Sequence, residues 1–109
     1  MAKRFTDSRK WHDTWFGELP RKYKFFWIYI LDTCNHAGIF EVNLKLASFH
    51  LEDTYTREDV LQVFKDKLIV VSESKWFIPK FISFQYPNLN PASIIYKSLV
   101  KELLGVGLT

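Results

Sequence analysis

Apolar positions along this chain recur first at helical spacing and then in short continuous runs, and the switch between them marks out its elements. From Tyr23 to Leu31 the spacing is helical: Tyr23, Phe26, Trp27 and Ile30 form one stripe, and Phe25, Ile28 and Tyr29 add a second. A helix apolar around so much of its circumference must be covered on more than one side, which makes it the expected central helix. Pro20 suits its first turn, where a missing N–H costs nothing. Asn35-His36-Ala37-Gly38 ends it, with Gly38 free to take a positive φ. Before it, Trp11 and Trp15 at i and i+4 predict a short helix.

Beyond Gly38 the elements shorten. Ile39-Phe40-Glu41-Val42 reads as a small strand, and Asn43 as the cap of a helix from Leu44 to about His50 that presents Leu46, Ala47 and Phe49 or His50. Thr56 and Asp59 resemble a capping box, opening a third helix whose face carries Val60, Leu61 and Phe64 and which ends near Lys65. Two short continuous apolar runs then follow. Leu68-Ile69-Val70-Val71 and Trp76-Phe77-Ile78, separated by Ser72-Glu73-Ser74-Lys75, predict an antiparallel hairpin with a four-residue turn. Lys80 to Tyr86 reads as an extended apolar stretch stopped by Pro87. Asn90 then caps a last helix over 91–104, with Pro91 in its first turn and Ala92, Ile95, Tyr96, Leu99 and Leu103 at helical spacing. Gly105 is its expected stop.

Helices followed by a hairpin, with a small strand between them, predict an α+β fold: a winged helix-turn-helix with a small antiparallel sheet and an additional C-terminal helix. At 109 residues, 48% apolar and 17% aromatic, the chain has the material for one domain, 1–109, and too little for two. Most of its aromatic residues must then form the core, Trp27, Phe26 and Phe64 first, while Trp76, Phe84 and Tyr86 could reach a surface. Charge is uneven. Residues 1–24 hold seven basic and three acidic side chains, or +4, whereas the total is +3, so the remainder carries −1. A basic N-terminal arm, 1–10, is compatible with contact to phosphates.

Catalytic chemistry has little to build on. Cys34 and His36, with His12 and His50, lack the second ligand pair of a zinc site, and a lone cysteine near a helix end usually packs as a small apolar group. Four glycines fall in no nucleotide-binding pattern. A non-enzymatic protein without cofactors or metal is expected. One cysteine, no signal-peptide pattern and no long apolar run favour a cytoplasmic location.

One resemblance spans nearly the whole chain. Lys3-Arg4-Phe5-Thr6-Asp7, Lys10-Trp11, Trp15-Phe16, the run from Trp27 through Tyr29, Leu31-Asp32, Cys34 and His36-Ala37-Gly38-Ile39, then Lys75-Trp76-Phe77-Ile78-Pro79-Lys80-Phe81-Ile82, Phe84-Gln85-Tyr86 and Leu89-Asn90-Pro91 are similar to the N-terminal domain of bacteriophage replisome-organiser proteins. These are phage or prophage replication initiators, related in role to DnaD-type primosomal proteins. The resemblance implies a winged-helix domain that binds a replication origin or helps to assemble the primosome there, with recruitment of a host helicase or helicase loader through a region outside this chain; a homo-oligomer is also expected. It implies groove contact by Thr56, Arg57, Gln62 and Lys65, a wing carrying Ser72, Ser74 and Lys75, and phosphate contact by Lys3, Arg4, Arg9 and Lys10. Glu58, Asp59 and Asp66 leave the third helix without net positive charge, although acids in a first turn also suit the helix dipole. Two other readings stay open. One is an assembly module with little DNA affinity, in which the apolar face of the last helix is an interface; the other is a winged-helix transcriptional regulator.

Overall fold

The computed structural model describes residues 10, 12–82, 94–105 and 107. Two helices open the described chain. The first, α1 (Thr14–Glu18), starts at Asp13, whose carboxylate accepts the Phe16 N–H at 3.1 Å. Trp11, expected on the same face as Trp15, lies outside the described residues. The second, α2 (Arg21–Thr33), follows Pro20, whose carbonyl accepts from the N–H groups of Tyr23 and Lys24. Proline is thus the residue before the first turn, with its φ of −56° already helical. Tyr23, Phe26 and Ile30 are buried along α2, while Trp27 is half-buried and Phe25 remains 49% exposed. So α2 is covered on one broad side and not all round.

Strand β1 (Ile39–Glu41) and helices α3 (Leu44–Leu51) and α4 (Arg57–Val63) follow. Asn43 caps α3 through Oδ1, which accepts the Leu46 N–H at 2.9 Å. The face of α3 that packs is Ala47, flanked by half-buried Leu44 and Leu51, whereas Leu46 and Phe49 point outward and Phe49 is 74% exposed. The expected face is therefore corrected by about a quarter turn. Ala47 allows α3 to approach α2 closely, and its i−3 and i+4 neighbours follow it inward. Thr56 caps α4, its hydroxyl accepting the Asp59 N–H at 3.2 Å. Between the two helices the chain is fastened to α2: Tyr55 donates its hydroxyl to the Lys22 carbonyl at 2.6 Å, and the Lys22 ammonium donates to the Thr54 carbonyl at 2.7 Å. These ties add to the packing of Ala47 and Val60 in holding the α3–α4 connection against α2.

Strands β2 (Ile69–Ser72) and β3 (Lys75–Phe77) form the hairpin, and β1 pairs with the far side of β3, giving an antiparallel sheet of order β1-β3-β2. The turn is tighter than the four residues expected. The register passes from Val70 opposite Trp76 to Ser72 opposite Lys75, so Val71 is absorbed as a bulge and Glu73-Ser74 alone make the turn. Phe40 and Trp76, opposite each other, face the helices; Ile39 and Phe77, the next pair, face the other way. That second face is covered by α5 (Ile94–Gly105), whose Leu99 is buried with Ala37 and Ile39 beside Phe77, Ile82 and Leu103. Helices thus cover both faces of the sheet. Strand β2 stays an edge with Ile69 and Val70 exposed.

Two further expectations change at the C-terminal side. Pro79 and Lys80 turn, and Phe81 and Ile82 are helical rather than extended; the remainder of that stretch, with Asn90 and Pro91, lies outside the described residues. Helix α5 continues through Gly105, and it is Gly107, at φ +82°, that takes the left-handed conformation and returns its N–H to the Leu104 carbonyl. No helix among the described residues is long and apolar enough to cross a membrane.

The core centres on aromatic rings. Phe64 stacks on Trp27 at 5.2 Å and on Phe26 at 5.9 Å, and meets Trp15 and Tyr23 edge-on. Trp76, which the sequence left as a possible surface residue, is fully buried against Phe40, and its Nε1–H has no acceptor among the described residues. Replacing Trp76 by phenylalanine is accordingly expected to lie between neutral and about 2 kcal/mol stabilising. Losing about 40 Å³ of side chain at about 24 cal/mol per Å³ costs about 1 kcal/mol, and removing an unmet buried donor returns about 1–3 kcal/mol. Urea unfolding would measure the difference; a loss above about 3 kcal/mol would mean that the indole N–H is paired.

Candidate nucleic-acid interface

Helix α4 has a buried side and an open one. Val60, and Phe64 at its C-terminal end, point into the core. Glu58, Asp59 and Gln62 are exposed along it and Lys65 just past its end, so its outward surface is acidic at the N-terminal end and polar towards the other. The first-turn carboxylates complement the helix dipole, which accounts for their place in the fold. The same carboxylates repel a phosphate backbone approaching that end.

The expected contact residues separate into groups. Gln62 is exposed on the open side of α4, and Lys65 is exposed in the turn just past its end. Thr56 is exposed, but its hydroxyl oxygen already accepts the capping N–H. Arg57 turns towards the hairpin: its guanidinium donates to the Glu73 carbonyl and lies 5.7 Å from the centre of the Trp76 ring. This side chain links the hairpin turn to the start of α4. Ser72 and Ser74 are exposed at the turn, and the Ser74 N–H donates to the Ser72 hydroxyl at 3.4 Å. Lys75 sits on the α5 side of the sheet opposite Glu41, in a groove of about 630 Å³ also lined by Tyr29, His50 and Glu102. Lys75 and Gln62 therefore do not form one patch. Lys3, Arg4 and Arg9 lie outside the described residues, and Lys10 is half-buried just before α1.

A second concave surface lies past the C-terminal end of α4. Lys10, Lys67 and Lys80 come from three separate segments to line a cleft of about 290 Å³ whose other walls include Trp15, Phe16, Trp27, Asp13 and Asp66. The Lys67 ammonium is 4.7 Å from the centre of the Trp15 ring, a cation–π distance. Lys67 and Lys80 were not among the expected contacts. They are 13 positions apart, one in the loop before the hairpin and one in the turn after it, and no local spacing brings them together.

The remaining titratable and thiol groups serve the fold. Burial pushes the Tyr55 phenol up to about 12, with the charges of Asp53 and Tyr23 adding to it, so the hydroxyl stays protonated and able to donate to Lys22. Burial also raises Tyr29. Cys34 is buried at the end of α2, its thiol 3.5 Å from the Leu31 carbonyl. His36 Nε2 is 2.8 Å from the Ser98 hydroxyl and Asn35 donates to Glu102, two polar links that hold α5 to the loop before β1. No three His, Cys, Asp or Glu side chains gather for a metal among the described residues. Comparison with protein-family models, with curated proteins and with solved structures gives no match.

Proposed function

We propose that this chain is a winged-helix DNA-binding domain of the replication-initiator type, with α4 as the reading helix and the β2–β3 hairpin as the wing. The observation that carries the reading is the order of parts. A helix, an edge strand, two helices and a hairpin closing a β1-β3-β2 sheet are compatible with a winged helix, and Arg57 joins the turn of that hairpin to the start of α4. Gln62 and Lys65 are the groove contacts in this reading, Ser72 and Ser74 the wing contacts, and the basic residues of 1–10 supply phosphate contacts. Arg57 acts as a positioning residue. The initiator role, primosome assembly at an origin and a helicase-loading partner come from the resemblance to replisome organisers.

A protein-assembly role without strong DNA affinity is the competing reading, and the exposure of Phe49, Leu46 and Phe25 favours it. Fluorescence anisotropy with labelled duplex and single-stranded DNA separates the two. Neutralising four phosphates predicts affinity that falls about 100-fold between about 50 and 200 mM salt, with duplex preferred. Changing Lys3, Arg4, Arg9 and Lys10 together to alanine is expected to lower the slope by up to about four contacts. Absence of binding at the lower salt, with self-association in sedimentation, would establish the assembly role instead.

A further inference from the structure

We infer that the open edge of β2 pairs with β2 of a second copy of this chain, joining the two sheets in a weak two-fold dimer. The hydrogen-bond register identifies the groups that make the pairing. Between β1 and β3 the Ile78 N–H donates to the Gly38 carbonyl and the Val42 N–H to the Ser74 carbonyl. Phe40 and Trp76 lie midway between those two pairs, so they are hydrogen-bonded to each other and Trp76 turns its backbone groups to β1. Phe77 then turns its own to β2, where it faces Ile69. Val70 is the next residue, opposite Trp76, and its N–H and C=O point away from β3 to the open edge. Edge strands are ordinarily blunted by a charge or a proline within the strand. Residues 68–72 contain neither, and Ile69 and Val70 are 45% and 52% exposed.

This edge complements itself, which is why the occupant is a second copy. In an antiparallel pair centred on Val70, each Val70 donates its N–H to the other's carbonyl, and Ile69 comes beside Val71 of the second copy. The same register brings Lys67 to the level of Glu73 at both ends, opposite charges in each case. A parallel pairing would set Lys67 on Lys67 and Glu73 on Glu73. The Lys67 ammonium lies over the Trp15 ring and Glu73 is exposed, and neither has an ion-pair partner among the described residues. The bulge at Val71 ends the regular edge on the turn side, so the ladder is confined to a few residues about Val70. A contact this short belongs with the weak, transient interfaces, which bury less than about 1,200 Å². The axis stands perpendicular to the joined sheet, so both copies carry α4 on the same face. The pairing needs no nucleic acid and is independent of the DNA-binding reading.

The test is sedimentation velocity of the whole chain, without DNA, from about 1 µM to about 1 mM, over which the mass should rise from monomer towards dimer. Val70→Pro removes the outward N–H, which takes no part in the bonds to β3, and an edge strand tolerates proline there. It should lower the association constant about 10-fold or more while the urea midpoint stays near that of the unaltered protein. Val70→Lys keeps the backbone and sets like charges on each other across the axis; it should weaken association as well, most at low salt. Phe49→Ser, on the exposed face of α3, should leave association unchanged. A monomer at every concentration, undiminished association in either Val70 variant, or an equal loss in Phe49→Ser would overturn the pairing.

Discussion

Alanine at Gly38 is expected to cost the fold about 3 kcal/mol, and two independent causes add to that figure. Gly38 sits at φ +83°, where a side chain meets the carbonyl oxygen that follows it at a cost of about 1–2 kcal/mol. A Cβ there would also stand 2.7 Å from the Phe81 Cβ and 3.2 Å from the Ile78 carbonyl oxygen. Phe81 is buried, so it cannot swing aside cheaply, and forcing atoms into a packed site costs about 1–3 kcal/mol. The backbone of Gly38 is also committed: its N–H donates to the Asn35 carbonyl and its own carbonyl accepts the Ile78 N–H at 2.9 Å. Gly17 makes the comparison. It lies inside α1 with nothing within 4 Å of an added Cβ among the described residues, and alanine there should stabilise by about 0.5–1 kcal/mol. Opposite shifts of the urea midpoint for the two variants would confirm the argument. A neutral Gly38→Ala would mean that the turn before β1 is not held at this conformation.

Truncating Phe64 to alanine should destabilise by about 3–5 kcal/mol, the range for a large aromatic lost from a closed core. The ring is fully buried where α1, α2 and α4 meet, touching Trp15, Trp27, Phe26 and Tyr23. Domains of this size have about 5–15 kcal/mol in total, so the variant keeps little margin. A fall of at least about 12 °C in Tm is expected by calorimetry. Phe64→Leu retains most of the volume and should lose much less. Equal losses for both would show that ring stacking, rather than filled space, is what the position supplies.

Much of the architecture was legible because its signals are local. The Asn43 and Thr56 caps, the stripe of Tyr23, Phe26 and Ile30, and the two apolar runs either side of the hairpin turn each lie within a few residues of the structure they dictate. Errors arose where a distant partner decides. The exposure of Phe49 follows from Ala47 seating α3 on α2, and the short hairpin turn follows from the bulge at Val71, which lets Ser72 stand opposite Lys75. The site was harder to read for the same reason. Arg57 is a groove contact by the resemblance alone, and the link of its guanidinium to a carbonyl 16 residues later has no local signal in the sequence. The gathering of Lys10, Lys67 and Lys80 needs the folded chain and no stretch of sequence announces it.

The burial of Trp76 has a spectroscopic consequence. Trp15 and Trp27 are half-buried and open to small quenchers from solvent, whereas Trp76 is sealed between the helices and β1 with its polar hydrogen unmet. With no acceptor for its N–H among the described residues, its emission should lie to the blue of theirs and resist acrylamide. A quencher that begins to reach this blue component would signal that the sheet is parting from the helices before the chain as a whole unfolds.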